Sequence, residues 1–186
     1  MRIISGKLKG KRISLPKDNY TRPLRDLVKE SIFNLIKHSN KFDCKIDGAN
    51  VLDLFSGTGS FGIECISRNA EIVTFIENYK LALKVLKHNI SSLKVNDKTH
   101  IIEKDCFNFF NSNHISDKKY NIIFADPPYK EKKINLIINF IKKNNFLDDN
   151  GILIIHRHKK DDVQLSDDLK ILEERSYGIS KIIIAH

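Results

Sequence analysis

The chain has 186 residues, with 41% hydrophobic and 30% charged residues, which suits one globular domain with a full core. Its net charge of +9 lies mainly in residues 1–30, where nine basic residues stand against three acidic ones. No apolar run has the length of a membrane span or of a signal-peptide core. We therefore expect a cytoplasmic protein whose basic N-terminal part binds a polyanion, most simply nucleic acid.

Three cysteines, Cys44, Cys65 and Cys106, are spread through the sequence. Their number is odd and no pair forms a C-x-x-C motif, so neither a zinc site nor a disulfide framework is indicated. We expect reduced thiols and predict no metal site.

The first predicted elements are a β-hairpin and a helix, which together make an N-terminal part over residues 1–49. "RIIS" and "KRISL" flank the turn-prone "GKLKG". The segment "TRPLRDLVKESIFNLI" then carries apolar residues at helical spacing. Pro23 suits the first turn of this helix, with Thr21 or Arg22 near its cap.

Residues 50–186 alternate between strand-like and helical patterns. The predicted strands are Val51–Phe55, Ile72–Ile76, His100–Glu103, Asn121–Ala125 and Ile152–Ile155. The predicted helices between them are Ser60–Ser67, Tyr79–Leu93, Cys106–Phe110 and Lys133–Phe140. This alternation predicts an α/β fold, with a parallel sheet covered by helices on both faces. The tail "LKILEERSYGISKIIIAH" predicts an added antiparallel hairpin.

A glycine-rich loop follows the first strand of this region. Gly57, Gly59 and Gly62 fit G-x-G-x-x-G between a strand and a helix, and Glu77 follows the next strand 20 residues after Gly57. This spacing is typical of a nucleotide cofactor site in which the acid accepts the ribose hydroxyls. Nicotinamide and adenosyl cofactors both meet that requirement.

Two further acids favour S-adenosylmethionine over a dinucleotide. Asp53 lies within the apolar first strand, where a buried carboxylate needs a partner; a cationic ligand supplies one, whereas a pyrophosphate adds like charge. Asp105 follows the third strand and could accept a hydrogen bond from the adenine amine. It could equally cap the next helix, or do both.

The segment "FADPPYK" places an acid, two prolines and an aromatic residue at the end of the fourth strand. Methylation of an exocyclic amine needs two acceptors that orient its hydrogens. Asp126 can supply one, and the carbonyl of Pro127 can supply another, since successive prolines restrict the backbone. Tyr129 can stack on a base. These residues suit adenine N6 and guanine N2 equally.

The motifs "RIISGKLKGKRI", "TRPLRDLVKESIFN", "VLDLFSGTGSFGIE", "FADPPY" and "RSYGISKIII" together resemble the RsmD family of 16S ribosomal RNA guanine-N2 methyltransferases. The resemblance covers nearly the whole chain. It implies a Rossmann-like class I methyltransferase fold with a seven-stranded sheet, and guanine-N2 as the target in an RNA of the small subunit or its assembly intermediate. The implied S-adenosylmethionine contacts are Asp53, Phe55, Ser56, Gly57, Gly59, Glu77, Asp105 and Cys106.

The same resemblance, together with the basic charge, predicts that the N-terminal part lies on RNA. The implied RNA-binding residues are Arg2, Lys7, Lys9, Lys11, Arg12 and Arg22. One departure is "IIHRHKK" from Ile154, where many relatives are expected to carry an acidic patch; these residues predict either a wider basic surface or a solvated loop.

Four other functions remain open from the sequence: an adenine-N6 methyltransferase, a protein-glutamine methyltransferase, a non-catalytic ribosome-binding factor and a nicotinamide-dependent oxidoreductase. Asp126 argues against glutamine methylation, for which Asn before the two prolines is typical. Asp53 argues against the oxidoreductase. Nothing in the sequence indicates an obligate dimer, so a monomer is expected.

Overall fold

The structure is a computed structural model that describes residues 1–18, 21, 24–110, 118–128, 131, 133–161 and 169–186. Over these residues the chain alternates helices and strands. The bounds are α1 Asp26–His38, β1 Asn50–Leu54, α2 Ser60–Ser67, β2 Ile72–Ile76, α3 Lys80–Leu93, β3 Thr99–Ile102, α4 Cys106–Phe110, β4 Tyr120–Ala125, α5 Ile134–Lys143, β5 Leu147–His158, β6 Ile171–Tyr177 and β7 Ser180–Ala185. None of these helices is long and apolar enough to cross a membrane.

The strands found in the described residues form one seven-stranded sheet in the order β3-β2-β1-β4-β5-β7-β6. The first five strands in that order are parallel, and β7 and β6 are added antiparallel. The predicted Rossmann-like sheet with a C-terminal antiparallel hairpin is confirmed. Because β1 lies between β2 and β4, the strand order reverses there, and ligands of such sheets bind at that point beyond the carboxyl ends of the strands.

Helices cover both faces of the sheet, as predicted. Side chains from α1, α2 and α3 pack in one core cluster, and those from α4 and α5 pack in another. Three aromatic rings join the first cluster: Phe33 of α1 stacks on Phe61 of α2, and Phe61 stacks on Phe124 of β4 at a centroid distance of 4.0 Å. Burying each such ring stabilises the fold by about 1.5–3 kcal/mol. The stack holds α2, which starts at the glycine loop, against β4.

The N-terminal hairpin is smaller than predicted, with a single antiparallel bridge between Arg2 and Arg12. It is held to α2 by Glu64, whose fully buried carboxylate accepts the N–H groups of Ile4 at 2.8 Å and Ser5 at 2.9 Å. Asn89 of α3 holds the following segment, exchanging two hydrogen bonds with the backbone of Ser14 while also donating to the carbonyl of Thr58. The basic segment is therefore bonded to the elements that carry the glycine loop.

Two predicted elements differ most from the structure, α1 and β5. α1 begins at Asp26 with Arg25 at its N-cap, so Thr21 is not the cap; its N–H instead bonds to the carboxylate of Asp18 at 3.1 Å in a local turn. Arg22 and Pro23 lie outside the described residues. β5 extends beyond Ile152–Ile155 at both ends: Leu147 pairs with Tyr120 of β4, and β7 pairs with β5 from Leu153 to His158.

Candidate active site

The predicted site residues follow four neighbouring strands at the carboxyl edge of the sheet. Asp53 lies in β1, and the glycine loop follows it. Glu77, Asp105 and Asp126 come after β2, β3 and β4, with Asp105 the third residue beyond Ile102, where β3 ends. Since β3, β2, β1 and β4 are adjacent in that order, the fold brings these acids to one edge.

The loop after β1 is a tight turn built on left-handed backbone conformations. Phe55, Gly57 and Gly59 have φ angles of 55°, 55° and 81°. The N–H of Ser56 donates to the carbonyl of Ile76 at 3.1 Å, and the N–H of Gly59 donates to the carbonyl of Ser56 at 2.8 Å. Gly59 is then the N-cap of α2. The turn therefore places the start of α2 just beyond the carboxyl end of β1.

Glu77 joins β2 to this loop. One carboxylate oxygen accepts the N–H of Gly57 at 2.7 Å, and the other accepts the N–H groups of Asn78 at 2.9 Å and Tyr79 at 2.8 Å. A carboxylate has about four acceptor positions, so three are filled by the backbone. A ribose hydroxyl can take the fourth, whereas the predicted pair of hydroxyls requires Glu77 to release one backbone N–H.

Asp53 is a carboxylate inside the core, only 1% exposed. It accepts the N–H of Gly62 at 3.0 Å. Burial raises the pKa of Asp53 well above its ordinary value, and the charges of Asp126 and Glu77 raise it further. A cation placed beside this carboxyl would reverse that effect, which fits the ammonium and sulfonium groups of S-adenosylmethionine.

A cavity of about 240 Å³ opens beyond β2 and β3. Four predicted cofactor residues line it, together with six that were not predicted as site residues. The predicted ones are Phe55, Glu77, Asp105 and Cys106, and the others are Ile76, Asn78, Lys104, Phe107, Pro128 and Glu131. The rings of Phe55 and Phe107 meet edge to face at 6.3 Å. An aromatic and aliphatic wall with acids at its rim suits a nucleoside.

Asp105 caps α4, which was one of its two predicted roles. One carboxylate oxygen accepts the N–H of Phe107 at 2.9 Å, and the other accepts the side-chain amide of Asn78 at 3.2 Å. Cys106 is buried behind it, and burial raises the pKa of this thiol above its ordinary value. Cys106 is therefore a neutral wall of the cavity and not a nucleophile.

The Asp-Pro-Pro loop leaves β4 next to this cavity. Asp126 has a side chain that is 22% exposed, and its Oδ1 lies 2.8 Å from Nδ1 of His156. Pro127 is buried, and the carbonyl of Pro128 accepts the N–H of Glu131 at 2.8 Å. Tyr129 lies outside the described residues, so its stacking role stays a prediction.

His156 and Arg157 were expected on a basic surface or in a solvated loop, and both expectations are wrong. They lie inside β5 and are 6% and 4% exposed. The guanidinium of Arg157 donates to the carbonyls of Pro128 at 3.1 Å and Glu131 at 2.9 Å. Their position in β5 was missed because they belong to a run of charged residues. The apolar residues before them have a strand pattern, which could have been extended to include them.

The predicted RNA-binding residues lie together in the N-terminal segment. Arg2, Lys7, Lys9, Lys11 and Arg12 are exposed, and Lys7 also donates to the side chain of Asn69 at 2.8 Å. Arg22 lies outside the described residues. Lys29, one of the nine basic residues counted in this region, is fully buried beside Glu64, so it adds no charge to the surface.

The sheet order, the glycine loop and the acids around it define a class I methyltransferase fold. The Escherichia coli protein yhhF has the same fold, with a TM-score of 0.84 and 25% identity over 100% of this chain and 96% of that chain. The family model described as "Conserved hypothetical protein 95" matches residues 1–186. The chain belongs to this family, which is the RsmD family that the motifs indicated.

Two relatives illustrate the similarity. The Bacillus subtilis protein YlbH is 31% identical, over 99% of this chain and 97% of its own length. Ribosomal RNA small subunit methyltransferase D of Buchnera aphidicola is 34% identical, over 84% of this chain and 76% of its own length.

Proposed function

We propose that this chain transfers a methyl group from S-adenosylmethionine to the exocyclic N2 amine of a guanine in small-subunit ribosomal RNA. The observation that carries the proposal is the position of Asp126, which follows β4 directly beside the glycine loop of β1. The name of its relatives, ribosomal RNA small subunit methyltransferase D, supports the choice of RNA.

The residues of the cavity suit S-adenosylmethionine. Phe55 and Phe107 provide apolar walls for the adenine, and Asp105 provides an acceptor near its amine. Glu77 has room for one ribose hydroxyl, and Asp53 provides a negative charge for the methionine end. When bound, the cofactor supplies an electrophilic methyl group, whose bond to sulfur breaks as its bond to nitrogen forms, leaving a neutral thioether.

The Asp-Pro-Pro loop orients the amine. The carboxylate of Asp126 accepts one N–H of the guanine amine, and the carbonyl of Pro127 accepts the other, so that the nitrogen lone pair faces the methyl group. The nitrogen becomes acidic once it carries the methyl group, and its proton leaves through Asp126 to water. Orientation of this kind can lower a barrier by about 7–11 kcal/mol, so a strong base is not required.

The test is methylation of small subunits that lack the modification. The protein is incubated with labelled S-adenosylmethionine and either intact subunits or the naked RNA, and the labelled nucleosides are separated after digestion. We expect N2-methylguanine. Labelled N6-methyladenine would favour the alternative target, and label in neither RNA substrate, with no measurable cofactor affinity, would favour a non-catalytic ribosome-binding factor.

Asp126→Ala gives the matched test of the site. We expect its turnover to fall by about 100-fold or more, while its affinity for S-adenosylmethionine stays within about twofold of wild type. Asp149→Ala removes an acid whose side chain is 92% exposed and should leave both quantities unchanged. Full activity of Asp126→Ala would refute the assignment.

We also propose that the protein works as a cytoplasmic monomer on the subunit or its assembly intermediate. Light scattering on the purified protein tests the first point, because a stable dimer would double the mass from 21.5 kDa. A comparison of the rates on intact subunits and naked RNA tests the second.

A further inference from the structure

The carboxyl end of β5 lies beside the Asp-Pro-Pro loop and contacts it on two sides. In the register of β4 and β5, Ala125 pairs with Ile155, so the next residues, Asp126 and His156, are also neighbours. Nδ1 of His156 lies 2.8 Å from Oδ1 of Asp126. His156 is 6% exposed, so the ring is shielded from water, whereas the acid still reaches the cleft.

The hydrogen bond has a defined direction. In the proposed reaction Asp126 acts as a carboxylate, which only accepts hydrogen bonds, so this role requires Nδ1 of His156 to carry the hydrogen and donate it. The carboxylate of Asp126 can otherwise rotate about its Cβ–Cγ bond, and the bond to Oδ1 limits that rotation. Oδ2 of Asp126 then remains available to accept a hydrogen bond from the substrate amine.

Arg157 acts on the other side of the same loop. Successive side chains of a strand point to opposite faces of its sheet, and here His156 bonds to the acid while Arg157 bonds to the carbonyls of Pro128 and Glu131. Asp161 pairs with the guanidinium at 2.9 Å and orients it. The two residues thus fix the loop both before and after the carbonyl of Pro127.

We infer that His156 is a positioning residue of the methyl transfer, which holds the Asp126 carboxylate so that Oδ2 meets the target amine. This inference rests on the proposed function, in which Asp126 accepts the amine hydrogen. His156 touches neither the amine nor the cofactor in this role, and it acts only through Asp126. Its loss should therefore lower turnover and leave cofactor affinity unchanged.

The experiment compares three variants on small subunits. His156→Phe keeps an aromatic ring and removes the donor. His156→Asn keeps a donor, because the Asn amide can occupy the position of Nδ1. His158→Phe is the matched control, two residues further along the same strand, where its own Nδ1 accepts the N–H of Lys160. Turnover, KM for the subunit, Kd for S-adenosylmethionine and melting temperature are measured for each.

We expect turnover of His156→Phe to fall by about 10- to 100-fold, since small displacements of an orienting group can cost that much. KM and Kd should stay within about twofold, and His156→Asn should recover most of the turnover. Unchanged turnover in His156→Phe would overturn the role. The role would also be overturned if His156→Phe and His156→Asn lost the same amount of turnover and both melted at correspondingly lower temperatures. That result would make His156 a packing residue. If wild type methylates no RNA at all, the proposed function fails, and the role of His156 fails with it.

Discussion

Glu77 accepts the backbone N–H of Gly57 at 2.7 Å, which ties the end of β2 to the glycine loop. The same carboxylate accepts the N–H groups of Asn78 and Tyr79, so it fixes both the loop and the start of α3. The acid that the spacing assigned to the ribose is thus also the residue that holds the loop in its left-handed conformation. Cofactor binding and loop stability should depend on the same side chain.

Glu77→Gln should impair both properties. Its amide NH₂ would face at least one backbone N–H, and a buried donor left without an acceptor costs about 1–3 kcal/mol. We expect a lower melting temperature and a Kd for S-adenosylmethionine at least about 10-fold higher. Calorimetric titration and thermal melts measure the two effects.

Glu103→Gln is the control for this change. Glu103 is half exposed and pairs with Lys87 on the surface, so neither quantity should change appreciably. A Glu77→Gln variant that melts earlier yet binds the cofactor with the wild-type Kd would show that Glu77 only stabilises the loop.

Asp53→Asn should have opposite effects on stability and binding. Burial raises the pKa of Asp53, so above the ordinary Asp pKa the folded state holds a proton that the unfolded state has lost. Asp53 therefore makes its full contribution to stability below the pKa that it has in the unfolded chain. This contribution is lost as the pH rises through the pKa that it has in the folded protein. Asn keeps an acceptor for the N–H of Gly62 and carries no charge, so the variant should be more stable without cofactor.

The size of that gain should depend on pH. The difference in free energy of unfolding between Asp53→Asn and wild type should grow from pH 4 upward, by about 1.4 kcal/mol for each unit between the folded and unfolded pKa values. Denaturant melts from pH 4 to 8 measure it, and the exposed Asp97→Asn is the control. The Kd for S-adenosylmethionine should rise, because the negative charge is lost. A stability difference independent of pH would contradict this account.

The sheet could be predicted from the sequence because its strands are short apolar runs with turn residues between them. Ile72–Ile76 and Ser60–Ser67 were predicted to the residue. The burial of His156 and Arg157 could not be, because their side chains bond to a loop some 30 residues earlier. Such long-range partners leave no local pattern. The start of α1 was missed for a local reason: Asp18 accepts the N–H of Thr21 in a turn, and the helix begins only at Asp26.

The two glycines at the ends of the loop should differ in their tolerance of alanine. A Cβ on Gly59 would lie 2.5 Å from Cδ1 of Leu86, on a backbone with φ of +81°. Among the described residues, a Cβ on Gly57 would meet only Cγ2 of Thr21, at 3.5 Å. Both changes incur the cost of a left-handed residue, about 1–2 kcal/mol, but Gly59→Ala adds overlap with the core.

Gly59→Ala should therefore lower the free energy of unfolding by about 1–3 kcal/mol more than Gly57→Ala does. Denaturant melts of the two variants measure the difference. Gly178→Ala is a control for backbone cost alone, since its φ is +61° and its Cβ would meet nothing within 4 Å in the part of the chain that the structure describes. Equal losses for Gly57 and Gly59 would mean that Leu86 moves aside without cost.

The N-terminal basic residues should contribute to RNA affinity through phosphate contacts. Lys9, Lys11 and Arg12 are exposed, whereas Lys7 already bonds to Asn69. Replacing Lys9, Lys11 and Arg12 with Ala should weaken RNA binding. It should also make the slope of log K against log salt concentration less steep by about 2 to 3, since each phosphate contact contributes roughly 0.7 to 0.9. Binding to the subunit RNA is measured between 50 and 200 mM salt, which is about the range over which such contacts are lost.

A matched triple variant of Lys84, Lys142 and Lys143, all exposed, removes the same charge elsewhere on the surface. Its salt slope should stay close to that of wild type. Cofactor affinity should be unchanged in both variants, because the anchoring of the N-terminal segment depends on Glu64 and Asn89 and not on these basic side chains. Equal changes of slope in the two triple variants would show that RNA responds to net charge alone and not to this segment.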